Sequence, residues 1–255
     1  VTTSNSLFLI KRVQSSSEKL KEFSKFIGCA RYLKQSGCPV PNFISYRSNQ
    51  VIYEGCNGFF WVTMNVISGD HSLSGFDVPQ NLGFEIGKLY RTLKAAPPKF
   101  RSLKKWLYCT PKDSVNYQTL LQNSEVINDK FSKKYYDLFQ ENKDLVEKAW
   151  KECLLKKEAL INEQNNIIHG DLHPHNILMR NTKLSAFLDF ESIVSAPLNV
   201  GIAFSTFKLL RQYIVEEGTD ALPRAVDYFN LSLTHELGIE SLSYNDLAFF
   251  AKAEV

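Results

Sequence analysis

Three polar residues, Asp171, Asn176 and Asp189, stand at the ends of strongly apolar segments. The first two fall in Ile167-Ile168-His169-Gly170-Asp171-Leu172-His173-Pro174-His175-Asn176-Ile177-Leu178, and the third in Phe187-Leu188-Asp189-Phe190-Glu191. A carboxylate at such a place is costly unless a cation or a hydrogen-bond donor meets it. Phosphoryl transfer fits. Magnesium takes oxygen ligands, commonly one or two from protein and the rest from water and phosphate, and Asn176 and Asp189 can supply them. A compact loop can bring Asp171 beside the metal without making it a ligand, where a base for an attacking hydroxyl belongs. Turn-forming residues at strand ends would explain each side chain singly, but not their joint spacing. His169, His173 and His175 raise a transition-metal site, which leaves the apolar strand ending in Asp189-Phe190 unexplained. Glu191 is a candidate contact for the acceptor substrate or a structural residue.

The elements that must position these residues are legible in outline. Leu7–Val13 predicts a strand ending on two cations, Lys11 and Arg12. Ser15-Ser16-Ser17-Glu18 supplies a helix start, and Leu20, Phe23, Phe26, Ile27, Ala30 and Leu33 follow at helical spacing. Gly37, Pro39 and Pro41 end that helix. Gln50–Glu54 and Phe59–Ile67 predict two strands joined by a turn at Cys56-Asn57-Gly58. A helix is expected over Leu82–Leu93, and a polar helical hairpin over 112–165. Ile167-Ile168, Ile177–Met179 and Ser185–Phe190 predict short strands, with a tight turn at Asn181-Thr182-Lys183. Residues 200–255 are mostly helical by pattern, and Asp246–Val255 has the pattern of a helix still running.

His169-x-Asp171, Asn176 and Asp189-Phe190, with five residues from Asp171 to Asn176 and eighteen from Asp171 to Asp189, resemble the catalytic and metal-binding loops of the aminoglycoside phosphotransferase/choline kinase-like superfamily. The resemblance implies an α+β, two-lobed protein kinase-like fold. Its small antiparallel-sheet lobe would span 1–67, lacking the first strands and the glycine-rich loop. A larger, mostly helical lobe over 68–255 would carry the loops at 167–191 and acceptor-binding segments at 112–165 and 205–255. It implies ATP (or GTP) and Mg2+ as cofactors and a small-molecule hydroxyl as acceptor. Asp171 would be the catalytic base or hydroxyl-orienting residue, Asn176 and Asp189 metal ligands, and His169 and His173 structural residues of the loop. Lys11 falls where the superfamily keeps a phosphate-contacting lysine, with Arg12 as a competitor. Gly37-Cys38-Pro39-Val40-Pro41 is similar to its turn after the first helix. Phe60–Gly69 is similar to the strand and hinge that hold the base near Met64, Asn65 and Ile67.

Three departures stand out. The helix glutamate expected to pair with Lys11 would fall near Phe26, so Glu22 is the substitute, ahead of Glu18. Gly201 stands where the superfamily has an acidic brace for the catalytic loop. No glycine precedes Lys11, so the phosphate-covering loop lies upstream of Val1 or this member lacks it. These departures keep a second reading open, a catalytically impaired binding or scaffold protein similar to spore-coat members.

Composition sets outer limits. The 255 residues are 44% hydrophobic and 22% charged, ordinary for a globular protein. The net charge of +3 is too balanced to make nucleic acid the expected partner. No apolar run approaches a membrane span, and five scattered cysteines with no C-x-x-C pair suggest reduced thiols of a cytoplasmic protein. Residues 201–255 carry eight acidic and four basic side chains. That polarity would suit a cationic acceptor, such as an aminoglycoside or amino alcohol, or be ordinary solvated helix faces.

Overall fold

The structure is a computed structural model that describes residues 2–3, 6–13, 17–46, 50–55, 58–100, 130–161 and 165–239. Strands β1 (Thr2–Thr3), β2 (Ser6–Val13), β3 (Ile52–Glu54) and β4 (Phe60–Asn65) form one antiparallel sheet in the order β1-β2-β4-β3. In its register Leu9 opposes Met64 and Lys11 opposes Val62. Alternation therefore puts Leu9, Lys11, Val13, Val62 and Met64 on one face. Arg12 points the other way, with its guanidinium 4.9 Å from the centre of the Phe59 ring. The expected turn residues Cys56 and Asn57 lie outside the described residues, although Glu54 and Phe60 on either side are paired.

Helix α1 (Ser17–Gln35) follows β2 and buries Phe23, Ile27, Ala30 and Leu33 at the expected spacing. Gly37 adopts φ 79°, and the Cys38 amide donates to Leu33 O at 2.9 Å, closing the helix with a left-handed residue. Beyond β4, Val66–Gly69 leads into the larger lobe. Helix α2 (Val78–Lys94) begins a turn before the expected Leu82, because Pro79 in its first turn needs no amide hydrogen. It buries Leu82, Ile86, Leu89, Tyr90 and Leu93. Helices α3 (Lys130–Glu141) and α4 (Lys143–Ile161) occupy part of the expected helical hairpin. Its other half, around Tyr117–Ile127, lies outside the described residues.

Next come β5 (Asn165–His169), β6 (Ile177–Arg180), β7 (Lys183–Phe187) and β8 (Ile193–Pro197). They form two antiparallel pairs, β5 with β8 and β6 with β7. The β6–β7 turn has Asn181 and Thr182 both at positive φ, 51° and 63°, the geometry of a tight hairpin. Strand β8 is not foreseen by the sequence pattern. Ile193-Val194 is too short a run to alternate, and the strand exists because it pairs with β5, His169 opposite Ile193. Helix α5 (Leu198–Glu217) and helix α6 (Leu222–Leu237) complete the lobe. Residues 240–255, with the expected running helix, lie outside the described residues. Helix α6 lies against α2, where Gly83 and Gly87 allow close approach: a Cβ on Gly87 would stand 2.6 Å from Glu236 Cβ. Among the described residues no helix is long and apolar enough to cross a membrane.

Candidate active site

The loop from His169 to Asn176 is built by its own backbone. The His173 amide donates to Asp171 O at 3.1 Å and the Asn176 amide to His173 O at 2.8 Å. Pro174 opens the 3-10 turn Pro174–Asn176. Asn176 is buried, and its Nδ2 donates to Asp171 O at 2.7 Å and approaches Asp171 Oδ2 at 3.4 Å. That use of the amide nitrogen leaves Asn176 Oδ1 as its free acceptor. The Leu188 amide donates to Asn176 O at 2.8 Å, joining this loop to the one that carries Asp189.

His169 connects the same two loops through its side chain. The fully buried ring donates from Nε2 to Leu188 O at 2.8 Å, and Nδ1 accepts the Asp171 amide at 3.4 Å. Burial lowers its pKa, against the opposing hydrogen bond to Leu188 and the nearby Asp189 and Asp171 charges, so the ring stays neutral. Its partners fix the tautomer with the proton on Nε2. His173 is half-buried, with Nε2 3.6 Å from Asp171 Oδ2. Its ring meets that of His175 edge-on at 5.6 Å. Among the described residues no group of three or more His, Cys, Asp or Glu side chains is placed to hold a metal, and both ring nitrogens of His169 are already engaged. An Asn–Asp oxygen pair suits a hard cation that completes its shell with phosphate and water.

Asp189 adopts φ 54° and ψ 55°. This left-handed conformation is uncommon outside glycine, though Asp and Asn tolerate it best. Ser192 stabilises the turn that follows, its amide donating to Asp189 O at 3.0 Å and its hydroxyl to Asp189 Oδ2 at 3.1 Å.

A cavity of about 380 Å³ opens between the lobes. Leu9 and Lys11 line it from β2, Phe23 and Phe26 from α1, and Met64, Asn65, Val66 and Ile67 from β4 and the connection beyond it. Asn176, Leu178 and Leu188–Glu191 line it from the larger lobe. The amides of Asn65 and Val66 are used, on Asn42 O and Leu7 O, both at 3.2 Å. The Asn65 side chain is used too, its Oδ1 accepting the Asn42 amide at 2.5 Å. The Ile67 amide has no hydrogen-bond partner among the described residues.

The expected pairing of Lys11 with Glu22 does not occur, and the side chain of Glu18, the second candidate, lies outside the described residues. Lys11 Nζ lies 3.5 Å from Asp189 Oδ1 and in direct ion-pair contact with Glu191 Oε1. Partial burial works to lower its pKa, but Glu191 and Asp189 outweigh it and hold the ammonium above its ordinary value. Phe23 and Phe26 present the cavity-facing side of α1, whereas Glu22 is not among the lining residues.

Gly201 has no room for the missing acidic brace. A Cβ there would stand 2.9 Å from Tyr90 Oη and 3.0 Å from Ile168 Cβ. The Tyr90 hydroxyl instead donates to His169 O at 3.4 Å. Burial pushes its pKa well up, so it remains a neutral donor. Sequence reasoning missed Tyr90 because it looked only like a core position on α2. The acidic C-terminal segment is partly spent on structure. Glu216 Oε2 accepts the Leu73 amide at 2.8 Å, Glu217 Oε1 accepts the Gly75 amide at 2.7 Å, and Glu236 pairs with Arg91 at 3.0 Å.

The family model described as "Phosphotransferase enzyme family" matches residues 1–200. The chain belongs to that family. No curated protein matches it. Among solved structures, this phosphotransferase is similar to a spectinomycin phosphotransferase in complex with ADP and spectinomycin, at 15% identity and TM-score 0.73, over 99% of this chain and 74% of that one. An aminoglycoside phosphotransferase from Alicyclobacillus acidocaldarius aligns at 17% identity and TM-score 0.68, over 98% and 74%. An amicoumacin kinase in complex with AMP-PNP, Ca2+ and its substrate aligns at 15% and 0.64, over 98% and 73%. The phosphotransferase thus has the two-lobed, kinase-like α+β fold that its motifs led us to expect.

Proposed function

We propose that this phosphotransferase carries out Mg2+-dependent transfer of the γ-phosphate of ATP (or GTP) to a hydroxyl of a small molecule. One observation carries the reading: Lys11, Asn176 and Asp189 line one interlobe cavity, and the Asn176 side chain donates to the backbone carbonyl of Asp171. Residues 1–67 would cover the nucleotide, and 68–255 would carry the catalytic loops and the acceptor site. Met64 and Ile67 would bound the base, and the unengaged Ile67 amide suits an acceptor atom of the base. Asn65 would contribute through its backbone, since its side chain is held by Asn42. Lys11 would neutralise phosphate charge.

Asn176 Oδ1 and Asp189 would hold magnesium, which when bound neutralises charge on the phosphates and helps align them. Asp171, with its side chain 49% exposed, would accept the proton of the attacking hydroxyl. His169 and His173 would keep that loop in shape. A cationic acceptor, such as an aminoglycoside or amino alcohol, would meet the acidic portion of the larger lobe, residues 201–255. The relatives' complexes with spectinomycin and amicoumacin support a small-molecule acceptor. The acceptor segments would include 112–129, 162–164 and 240–255, which lie outside the described residues. Free Cys29, its thiol pushed up to about 12 chiefly by burial, and free Cys38 suit a cytoplasmic protein.

The scaffold reading loses one of its motives, because the Tyr90 hydroxyl meets His169 O where an acidic brace was expected. Asp171→Ala decides between the readings. Turnover against a panel of hydroxyl acceptors, scored by ADP release, should fall about 10²–10⁴-fold with nucleotide affinity retained. Full turnover in that variant would remove Asp171 from the chemistry. No ADP release by the wild type on any acceptor, with no thermal shift on adding ATP and magnesium, would favour the scaffold.

A further inference from the structure

We propose that Glu191 is the carboxylate that positions Lys11 in the nucleotide site, so that the metal-binding loop, not helix α1, supplies the lysine's partner. The inference rests on the phosphotransfer reading above.

What surrounds Lys11 supports it. Towards α1 the cavity wall is Phe23 and Phe26, whose rings meet edge-on at 6.4 Å and offer no charge. Towards the larger lobe stand Asp189, at 3.5 Å, and Glu191, in direct contact. Asp189 already accepts the Ser192 hydroxyl and would share its charge with a bound metal, so Glu191, the nearer of the two, is left as the lysine's own carboxylate.

The geometry of Glu191 is itself fixed. It is the middle residue of the 3-10 turn Phe190–Ser192, which starts from the left-handed Asp189. Phe190 on one side is buried, with its ring 5.8 Å from that of His169. Ser192 on the other side bonds back to Asp189 through its amide and hydroxyl. One short turn therefore carries both a candidate metal ligand and the lysine partner, set by the same backbone. Lys11 sits on a strand of the small lobe, so the pair also crosses the cleft. Its placement then depends directly on the closure of the two lobes, with no helix acting as intermediary. This makes Glu191 a positioning residue for Lys11 rather than an acceptor contact.

The test is titration of the full chain with ATP to millimolar concentration, with and without Mg2+, read by displacement of a fluorescent nucleotide. Glu191→Gln should weaken ATP binding about 3- to 10-fold under both conditions. Glu22→Gln should stay within twofold of wild type. In a Lys11→Met background, Glu191→Gln should add nothing, because its effect runs through the lysine. Effects of Lys11→Met and Glu191→Gln that multiply would overturn the proposal. So would a Glu191 effect seen only with Mg2+, which would make it a metal ligand, or unchanged affinity, which would return it to the acceptor side. Wild-type protein that binds no nucleotide at all would overturn the phosphotransfer reading first, and this proposal with it.

Discussion

Asp189 does two things that substitutions can separate. Its carboxylate faces the cavity, and its backbone holds φ 54°. Asn tolerates that conformation because its short polar side chain can still bond locally, whereas Ala has no polar group to offset the left-handed cost of roughly 1 kcal/mol. Asp189→Asn should therefore abolish the Mg2+-dependent part of nucleotide binding with little change in melting temperature, and Asp189→Ala should lose both. Unchanged Mg2+ dependence in Asp189→Asn would remove Asp189 as a ligand. Position 201 gives the opposite lesson about restoring an expected residue. Gly201→Asp would force a carboxylate against the Tyr90 hydroxyl and Ile168, so it should destabilise the fold by about 2 kcal/mol or more, measured by denaturant unfolding. Tyr90→Phe keeps the ring and removes the hydroxyl that donates to His169 O and also meets Ser205. It should cost about 1 kcal/mol and lower turnover more than nucleotide affinity.

Among elements, the α2–α6 pair matters most for the site. Helix α2 carries Tyr90 to the His169–Asn176 loop, and its depth is set by the contact of Gly83 and Gly87 with α6. A Cβ on Gly83 would overlap the carbonyl oxygen of Phe229. Backbone cannot yield as a flexible side chain can, so Gly83→Ala should cost about 1–3 kcal/mol of stability. A melting temperature equal to wild type would show that the helices can part without loss. The loops between elements are tied as firmly. Pro39 O, just past α1, accepts the Phe187 amide at 2.8 Å, two residues before Asp189. Asp70 and Met179 exchange backbone hydrogen bonds of 3.0 and 2.7 Å, linking the segment after Ile67 to the hairpin before Asp189.

For the whole molecule, one buried group, His169, and one half-buried group, Glu85, set opposite pH dependences. His169 has a folded-state pKa below its ordinary 6.5, so below that pH the unfolded chain takes up a proton that the folded one refuses. Stability present above pH 6.5 should be lost as pH falls through the folded value. In His169→Gln that part of the acid-side slope should disappear. Glu85 is raised above 4.5 by burial, with Lys88 opposing and Glu236 adding to the shift. Its folded form favours the proton, so its contribution is complete below 4.5 and is lost as pH rises through the raised value. Glu85→Gln should therefore gain stability relative to wild type at neutral pH and lose the advantage at pH 4. Melting temperatures between pH 4 and 8 check both, and parallel curves for variant and wild type would contradict either assignment.

The spacing of Asp171, Asn176 and Asp189, with the apolar runs before them, pointed to phosphoryl transfer, and their resemblance to a known superfamily implied the kinase-like fold that the structure has. The chemical reading was legible because it rests on local features: short strands, turn residues and oxygen donors at fixed separations along one chain. Helices α1 and α2 were legible for the same reason, since a buried stripe repeats every three or four residues. Strand β8 was not, because pairing with β5, not its own pattern, makes it a strand. The same limit governed the charges. From sequence, Glu22 was the reasonable partner for Lys11 and Gly201 looked like a lost brace. Only the folded chain brings Glu191 to Lys11 from 180 residues away, and the Tyr90 hydroxyl to His169 O from 79. Such pairings depend on how lobes and helices close on one another, and no periodicity along the sequence encodes that distance.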